Sequence, residues 1–191
     1  MAEGSEKPTE FFSLPPNLPA PVDDGACAHL VGMRTPHVRL ASTKGRTVDV
    51  GALPPGRTVI FCYPMTGVPG RPLPDGWDLI PGARGCTPQA CSFRDLHGDF
   101  TALGAGVFGL SAQASDWQSE MAQRLHLPFE VLSDADLLFT SALGLPTFEA
   151  GGMRLIKRLT LIVRDGAIEH VFYPVFPPDH SAAQVLAWLA S

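Results

Sequence analysis

The chain has 191 residues, 45% of them hydrophobic, which suffices for one continuous core and is short for two. Its formal net charge is -5 and its 14 Lys and Arg are scattered, so it carries no basic footprint for nucleic acid, and a small, weakly charged substrate suits it better. No apolar run approaches the roughly 18 to 20 residues of a membrane span, and the N-terminus lacks a basic start followed by an apolar stretch, so a cytoplasmic protein is expected, with no membrane partner.

Residues 1–24 hold Pro8, Pro15, Pro16, Pro19 and Pro21 among charged and small residues, which predicts an extended arm tacked down by Phe11 and Phe12. Residues 25–191 read as a single domain. Short alternating apolar stretches around Lys44-Gly45 predict a hairpin within residues 37–50. Val59-Ile60-Phe61-Cys62-Tyr63 is an uninterrupted β-prone run stopped by Pro64, the pattern of a central strand covered on both faces. Val107-Phe108-Gly109-Leu110 is a second such run. Between them lie a Gly- and Pro-rich loop, 65–85, and a predicted helix over 87–97, with Pro88 in its first turn and Ala90, Phe93 and Leu96 on its apolar side.

Ser115 and Gln118 have capping-box spacing ahead of Trp117, Met121 and Leu125, which predicts a helix ended by Pro128. A short strand follows over 129–132. Ser133 is placed to cap a further helix that runs through Leu137 and Leu138 to Leu143 and stops at Gly144. Two apolar runs, 159–163 and 168–173, flank Asp165-Gly166, a strong signal for a tight antiparallel hairpin. Ser181 and Gln184 open a last helix carrying Val185, Leu186, Trp188 and Leu189. The order β, α, β, α, β, α, hairpin, α predicts α/β architecture of the thioredoxin-like kind: a mainly parallel, mixed sheet with an antiparallel edge and helices on both faces.

The chemistry resides in the cysteines. Four of them, Cys27, Cys62, Cys86 and Cys91, are too few for a secreted disulfide scaffold of this size, and in a reducing compartment paired thiols point to redox chemistry or metal. Cys86 sits where the loop becomes a helix, so unpaired backbone N–H groups and the positive end of the helix dipole favour its thiolate, and Arg84 adds a nearby cation. A thiolate attacks peroxide oxygen to give a sulfenic acid, which a second thiol, Cys91, can capture as a disulfide. Residues five apart in a helix stand roughly 8 to 9 Å apart at their Cα atoms. A disulfide needs less than about 7 Å, so the first turns must unwind before the bond closes.

The string Gly85-Cys86-Thr87-Pro88-Gln89-Ala90-Cys91-Ser92-Phe93-Arg94-Asp95, downstream of a strand that ends Tyr63-Pro64, resembles the peroxiredoxin Q subgroup, also called bacterioferritin comigratory protein, over roughly residues 57–175. The resemblance implies Cys86 as peroxidatic and Cys91 as resolving cysteine, hydrogen peroxide or a small organic hydroperoxide as substrate, no bound cofactor, and recycling by thioredoxin or a similar dithiol reductant. It also implies an arginine on a strand, matched by Arg158 in Lys157-Arg158-Leu159-Thr160, to hold the thiolate and polarise the peroxide. A monomer or weak homodimer is expected.

One departure is plain. The family carries proline seven residues and threonine three residues before its peroxidatic cysteine, where this chain has Leu79 and Ala83. Pro64 and Thr66 are the nearest substitutes, displaced by residues 67–80, which have the look of an insertion. If that segment folds back, the Thr66 hydroxyl meets the peroxide; otherwise Thr87 is the candidate.

Other readings of the same residues are weaker. A zinc site needs two further ligands, and no second close Cys or His pair exists. Cys62 and Cys27 read as core, the dispersed His97, His126, His170 and His180 as surface or capping residues, and Trp77 and Trp188 as packing residues, with Trp77 placed to cover the pocket. A redox-signalling module, whose Cys86–Cys91 disulfide changes a binding surface with little peroxidase flux, is the competing function. A protein thiol–disulfide oxidoreductase is less favoured, because that chemistry uses two intervening residues rather than four.

Overall fold

The computed structural model describes residues 12–191. It contains β1 (Arg39–Ser42), β2 (Thr47–Asp49), β3 (Arg57–Cys62), α1 (Cys86–Asp95), α2 (His97–Ala102), β4 (Ala105–Ser111), α3 (Ser115–Arg124), β5 (Glu130–Ser133), α4 (Leu138–Leu143), β6 (Thr147–Ala150), β7 (Met153–Ile156), β8 (Leu159–Arg164), β9 (Ala167–Phe172) and α5 (Ser181–Leu189). Seven strands form one sheet in the order β2-β1-β5-β4-β3-β8-β9, and β6 and β7 make a separate hairpin.

The central run behaves as its composition dictates. Val59, Phe61 and Tyr63 face one way, into a core with Phe93 of α1, Phe100 of α2, Met121 of α3 and Val185 of α5. Ile60 and Cys62 face the other way, into a core with Leu40, Phe139 and Leu143 of α4, and Leu161. Helices therefore cover both faces, which makes the strand alternation of side chains irrelevant to polarity and leaves β3 apolar from Val59 to Cys62. Phe61 stacks on Phe93 at 4.3 Å between ring centroids and meets Phe129 edge-on at 5.5 Å, fixing α1 against the sheet.

The expectation of a mainly parallel sheet is corrected. Only β3–β4 and β4–β5 are parallel. The β1–β2, β1–β5, β3–β8 and β8–β9 pairs are antiparallel. Parallel pairing demands a crossover, and the helices of this chain supply two: α1 with α2 before β4, and α3 before β5. The hairpin β8–β9 follows a second hairpin rather than a helix, and so joins β3 head to tail.

Several local signals operate as read. Asp165 at φ 50° and Gly166 at φ 76° turn β8 into β9, and Gly144 ends α4 in the left-handed region. Two caps do not form. The residue preceding α3 is Ala114, without a side-chain cap, because Gln118 is buried and spends its amide on Ser111 Oγ (2.9 Å) and the Leu132 carbonyl (2.8 Å). Ser133 belongs to β5 and donates to the Gln113 carbonyl, while Asp134 caps α4 by accepting from the Phe139 and Thr140 amides and the Thr140 hydroxyl.

Of the arm, residues 1–11, including Phe11, lie outside the described residues; residues 12–24 contain no helix or strand. Phe12 is exposed and does not anchor the arm. Asp24 does, accepting from Lys157 Nζ (2.8 Å) and from the Tyr173 hydroxyl (2.8 Å). Among the described residues no helix is long and apolar enough to cross a membrane.

Candidate active site

The site is built on the first turn of α1. Gly85 precedes it at φ 104°, and a Cβ at that position would stand 2.4 Å from Pro178 Cγ and 2.7 Å from Leu14 Cδ2. Only glycine meets both demands. Its carbonyl accepts the Gln89 amide at 3.0 Å, closing the first helical turn around Cys86. Cys86 is 4% exposed. Cys86 is the first residue of α1, at the positive end of the helix dipole, a setting that suits negative charge.

Arg158, immediately before β8, is 3% exposed and reaches that sulfur. Its Nη2 donates to Cys86 Sγ at 3.1 Å and to the Ala83 (3.0 Å) and Arg84 (3.2 Å) carbonyls, and its Nε donates to the Gly82 carbonyl at 3.2 Å. Nη1 donates to Gln89 Oε1, and Gln89 Nε2 donates in turn to Ser181 Oγ at 3.2 Å. The guanidinium thus grips the loop that delivers Cys86, the helix that carries it, and the sulfur itself. The arginine expected on a strand stands one residue short of it, which frees its side chain to turn toward α1.

Cys91 lies one and a half turns along the same helix, half-buried against the core of α1, α3 and β3. Burial pushes its thiol up, and Arg94 partly opposes that. Both cysteines are free thiols, and the intact helix holds their Cα atoms roughly 8 to 9 Å apart. Cys27 and Cys62 are buried with thiols raised by loss of solvation, Cys27 to about 12; both are core residues.

A cavity of about 20 Å³ opens beside Cys86, lined among others by Thr66, Leu73, Trp77, Arg84 and Thr87. Thr66, four residues beyond the end of β3, therefore lines the same cavity as Cys86 despite the long segment between them. Gln113 holds it there: its Oε1 accepts the Thr66 amide (2.9 Å) and hydroxyl (3.2 Å), and its Nε2 donates to the Thr66 carbonyl (3.0 Å). Pro64 is buried just beyond β3 and does not line the cavity. Trp77 is 4% exposed and forms part of the cavity wall. Among the described residues, no group of three or more His, Cys, Asp or Glu side chains is placed to hold a metal ion.

Sequence reasoning passed over Gln89 and Gln113. A glutamine one turn after Cys86, on the side of α1 that also carries Ala90 and Phe93, was the available signal for the first. Gln113 follows β4 in a polar turn and gave none.

Residues 30–186 match the Redoxin family. The chloroplastic peroxiredoxin Q of Sedum lineare is 29% identical over 161 residues, 84% of this chain and 77% of its own length. The putative peroxiredoxin bcp of Coxiella burnetii is 24% identical over 162 residues, 83% of this chain and 97% of its own. Among solved structures, peroxidoxin BcpB from Mycobacterium tuberculosis superposes with a TM-score of 0.69 at 26% identity, covering 85% of this chain and 97% of that one. Xanthomonas campestris peroxiredoxin Q shares the fold, with a TM-score of 0.64 at 22% identity over 82% of this chain and 91% of that one.

Proposed function

The chain belongs to the Redoxin family, in its peroxiredoxin Q group of thiol peroxidases, and on that premise we propose that Cys86 attacks the hydroperoxide and Cys91 resolves the product. The observation that carries this assignment is the 3.1 Å approach of the buried Arg158 guanidinium to Cys86 Sγ at the start of a helix that also bears Cys91.

The steps follow from the placement. The Cys86 thiolate attacks the terminal peroxide oxygen; an S–O bond forms, the O–O bond breaks, and the leaving alkoxide or hydroxide takes a proton to become alcohol or water. Arg158 stabilises negative charge as it moves from sulfur to the leaving oxygen, the kind of fixed donor that is worth most in a dry site. Thr66 supplies the hydroxyl that orients the peroxide, its position in the cavity standing in for the threonine missing before Cys86. Pro64 turns the chain so that Thr66 arrives there. The first turns of α1 then unwind, Cys91 sulfur displaces the sulfenic oxygen as water, and a thioredoxin-like dithiol reduces the disulfide. Hydrogen peroxide and small organic hydroperoxides are the substrates. The cytoplasm, kept reducing by dithiol proteins, is the compartment that suits this cycle.

Intact mass after one equivalent of peroxide tests the assignment. Cys86→Ser is expected to abolish oxidation and peroxide consumption, whereas Cys91→Ser gains a single oxygen and loses turnover. Full turnover by the Cys86 variant overturns it. Thr66→Val, with Cys86 intact, is expected to slow the oxidation step; an unchanged rate removes Thr66 from the mechanism and leaves Thr87.

A further inference from the structure

Residues 67–80, which separate Thr66 from Cys86, fold onto a small apolar core of their own. Trp77 is buried there with Met65, Ala83, Ala150 and Leu155, and its ring lies 6.1 Å from that of Phe148 on β6. Two more contacts fix the tip. Pro74 packs against Gly151, in the turn of the β6–β7 hairpin, and Arg71 lies over the Trp117 ring of α3 at 5.1 Å. The segment is thus tied to three separate elements and presents a defined outer surface.

That surface is a trough of about 790 Å³ lined by Pro72, Leu79 and their neighbours. Leu73, Trp77 and Arg84 line both the trough and the cavity of about 20 Å³ beside Cys86, so the two spaces adjoin along these side chains. The cavity has room for about one water-sized group, too little for an organic substituent. A substituent on the other oxygen must therefore lie outside the cavity, and the trough adjoins it. Pockets of roughly 300 to 1,000 Å³ take whole organic ligands. The trough's charges balance, Arg71 and Arg84 against Asp75 and Asp78, with Arg84 and Asp78 paired at 3.2 Å. Leu79 lies open in it, 80% exposed.

We infer that residues 67–80 select the substrate: the substituent of a bulky, uncharged organic hydroperoxide lies along this trough against Leu79 and Pro72 while its peroxide group reaches Cys86. The segment then favours such hydroperoxides over hydrogen peroxide, which gains nothing from the trough. The inference rests on the Cys86 assignment above.

The experiment compares second-order rate constants for oxidation of the reduced full-length protein by cumene hydroperoxide and by hydrogen peroxide. The variants are Leu79→Asn and the double variant Pro72→Ser/Leu79→Asn, both at exposed positions outside the cavity beside Cys86. Loss of an apolar contact to the substituent is expected to slow the cumene hydroperoxide reaction about tenfold in the double variant while the hydrogen peroxide rate stays within about twofold. An unchanged ratio of the two rates, or an equal fall in both, overturns the inference. A Cys86→Ser protein that still consumes both peroxides at the wild-type rate instead overturns the assignment beneath it, so the two failures are distinct.

Discussion

Gln89 and Arg158 are hydrogen-bonded to each other in the wall behind Cys86, and neither side chain reaches solvent, at 0% and 3% exposure. The amide is the link by which α1 and the start of α5 orient the guanidinium, since its other end donates to Ser181 Oγ. Gln89→Leu keeps the volume and removes both bonds. The variant is expected to lose about 1 to 3 kcal/mol of stability, from one guanidinium N–H and one hydroxyl left without a partner. Cys86 oxidation should slow by about tenfold or more as Arg158 loses its aim. Chemical denaturation and stopped-flow oxidation measure the two effects; a wild-type oxidation rate in a destabilised protein would show that Gln89 supports the fold alone.

Gly85 and Gly82 offer a controlled comparison. Both have positive φ, 104° and 76°, so alanine at either meets about 1 to 3 kcal/mol of backbone strain. A Cβ at Gly82 would lie 3.4 Å from Pro21, an ordinary contact, whereas at Gly85 it would collide with Pro178 and Leu14. Gly85→Ala is therefore expected to lower the melting temperature more than Gly82→Ala, and to slow peroxide reduction where Gly82→Ala leaves it nearly intact.

The intact α1 keeps Cys86 and Cys91 too far apart to bond, so the reduced and disulfide forms must differ along this helix. Amide exchange across residues 87–94 is expected to be slow in the reduced protein and fast in the oxidised one, with lower helicity in the latter. Matching exchange in the two states would exclude unwinding.

The half-buried Cys91 thiol titrates above its ordinary range because loss of solvation disfavours the thiolate. A folded pKa raised above the unfolded value means that Cys91 stabilises folded α1 below pH 9.0, the ordinary thiol value. That contribution disappears as pH rises through the folded value. Unwinding and thiolate formation are thus favoured together by alkali. Resolution of the Cys86 sulfenic acid, followed as disulfide formation after a single oxidant pulse, should accelerate steadily from pH 7 upward, and a flat profile would contradict this.

Asp24 has the opposite sign. Its bonds to Lys157 and Tyr173 lower its carboxyl from 3.8 to about 2. The clamp is fully present above pH 3.8 and is lost as pH falls toward 2. Amide exchange in residues 14–24 should rise across that interval in the wild type and already be fast at neutral pH in Asp24→Asn.

The parts of the fold written in neighbouring residues were legible before the structure. The unbroken run ending at Pro64 predicts a strand buried on both faces, and Asp165-Gly166 predicts the β8–β9 hairpin, because each signal lies within a few residues of what it specifies. Strand direction was not legible: the antiparallel pairing of β3 with β8 depends on residues such as Ile60 and Leu161, which no local pattern connects. The β6–β7 hairpin passed unnoticed because Gly151-Gly152 sits between strands that are half exposed and only four residues long. In the site, a thiol at a helix start could be read from Cys86 alone, but Arg158 came from the family resemblance. Gln89 and Gln113 act entirely through distant partners. Caps at Ser115 and Ser133 failed for a related reason, since buried carbonyls and a better-placed carboxylate claimed the groups involved.

The close approach of Leu14, Gly85 and Pro178 has a consequence for how the protein is made. A ribosome releases Cys86 and the described strands before Pro178, yet the turn that presents the sulfur gains this packing partner only when that proline arrives. On the proposed mechanism, catalytic competence is then among the last properties the growing polypeptide acquires, and a chain halted before Pro178 would carry every described strand, Cys86 and Cys91 without the packing that completes the turn between them and the loop.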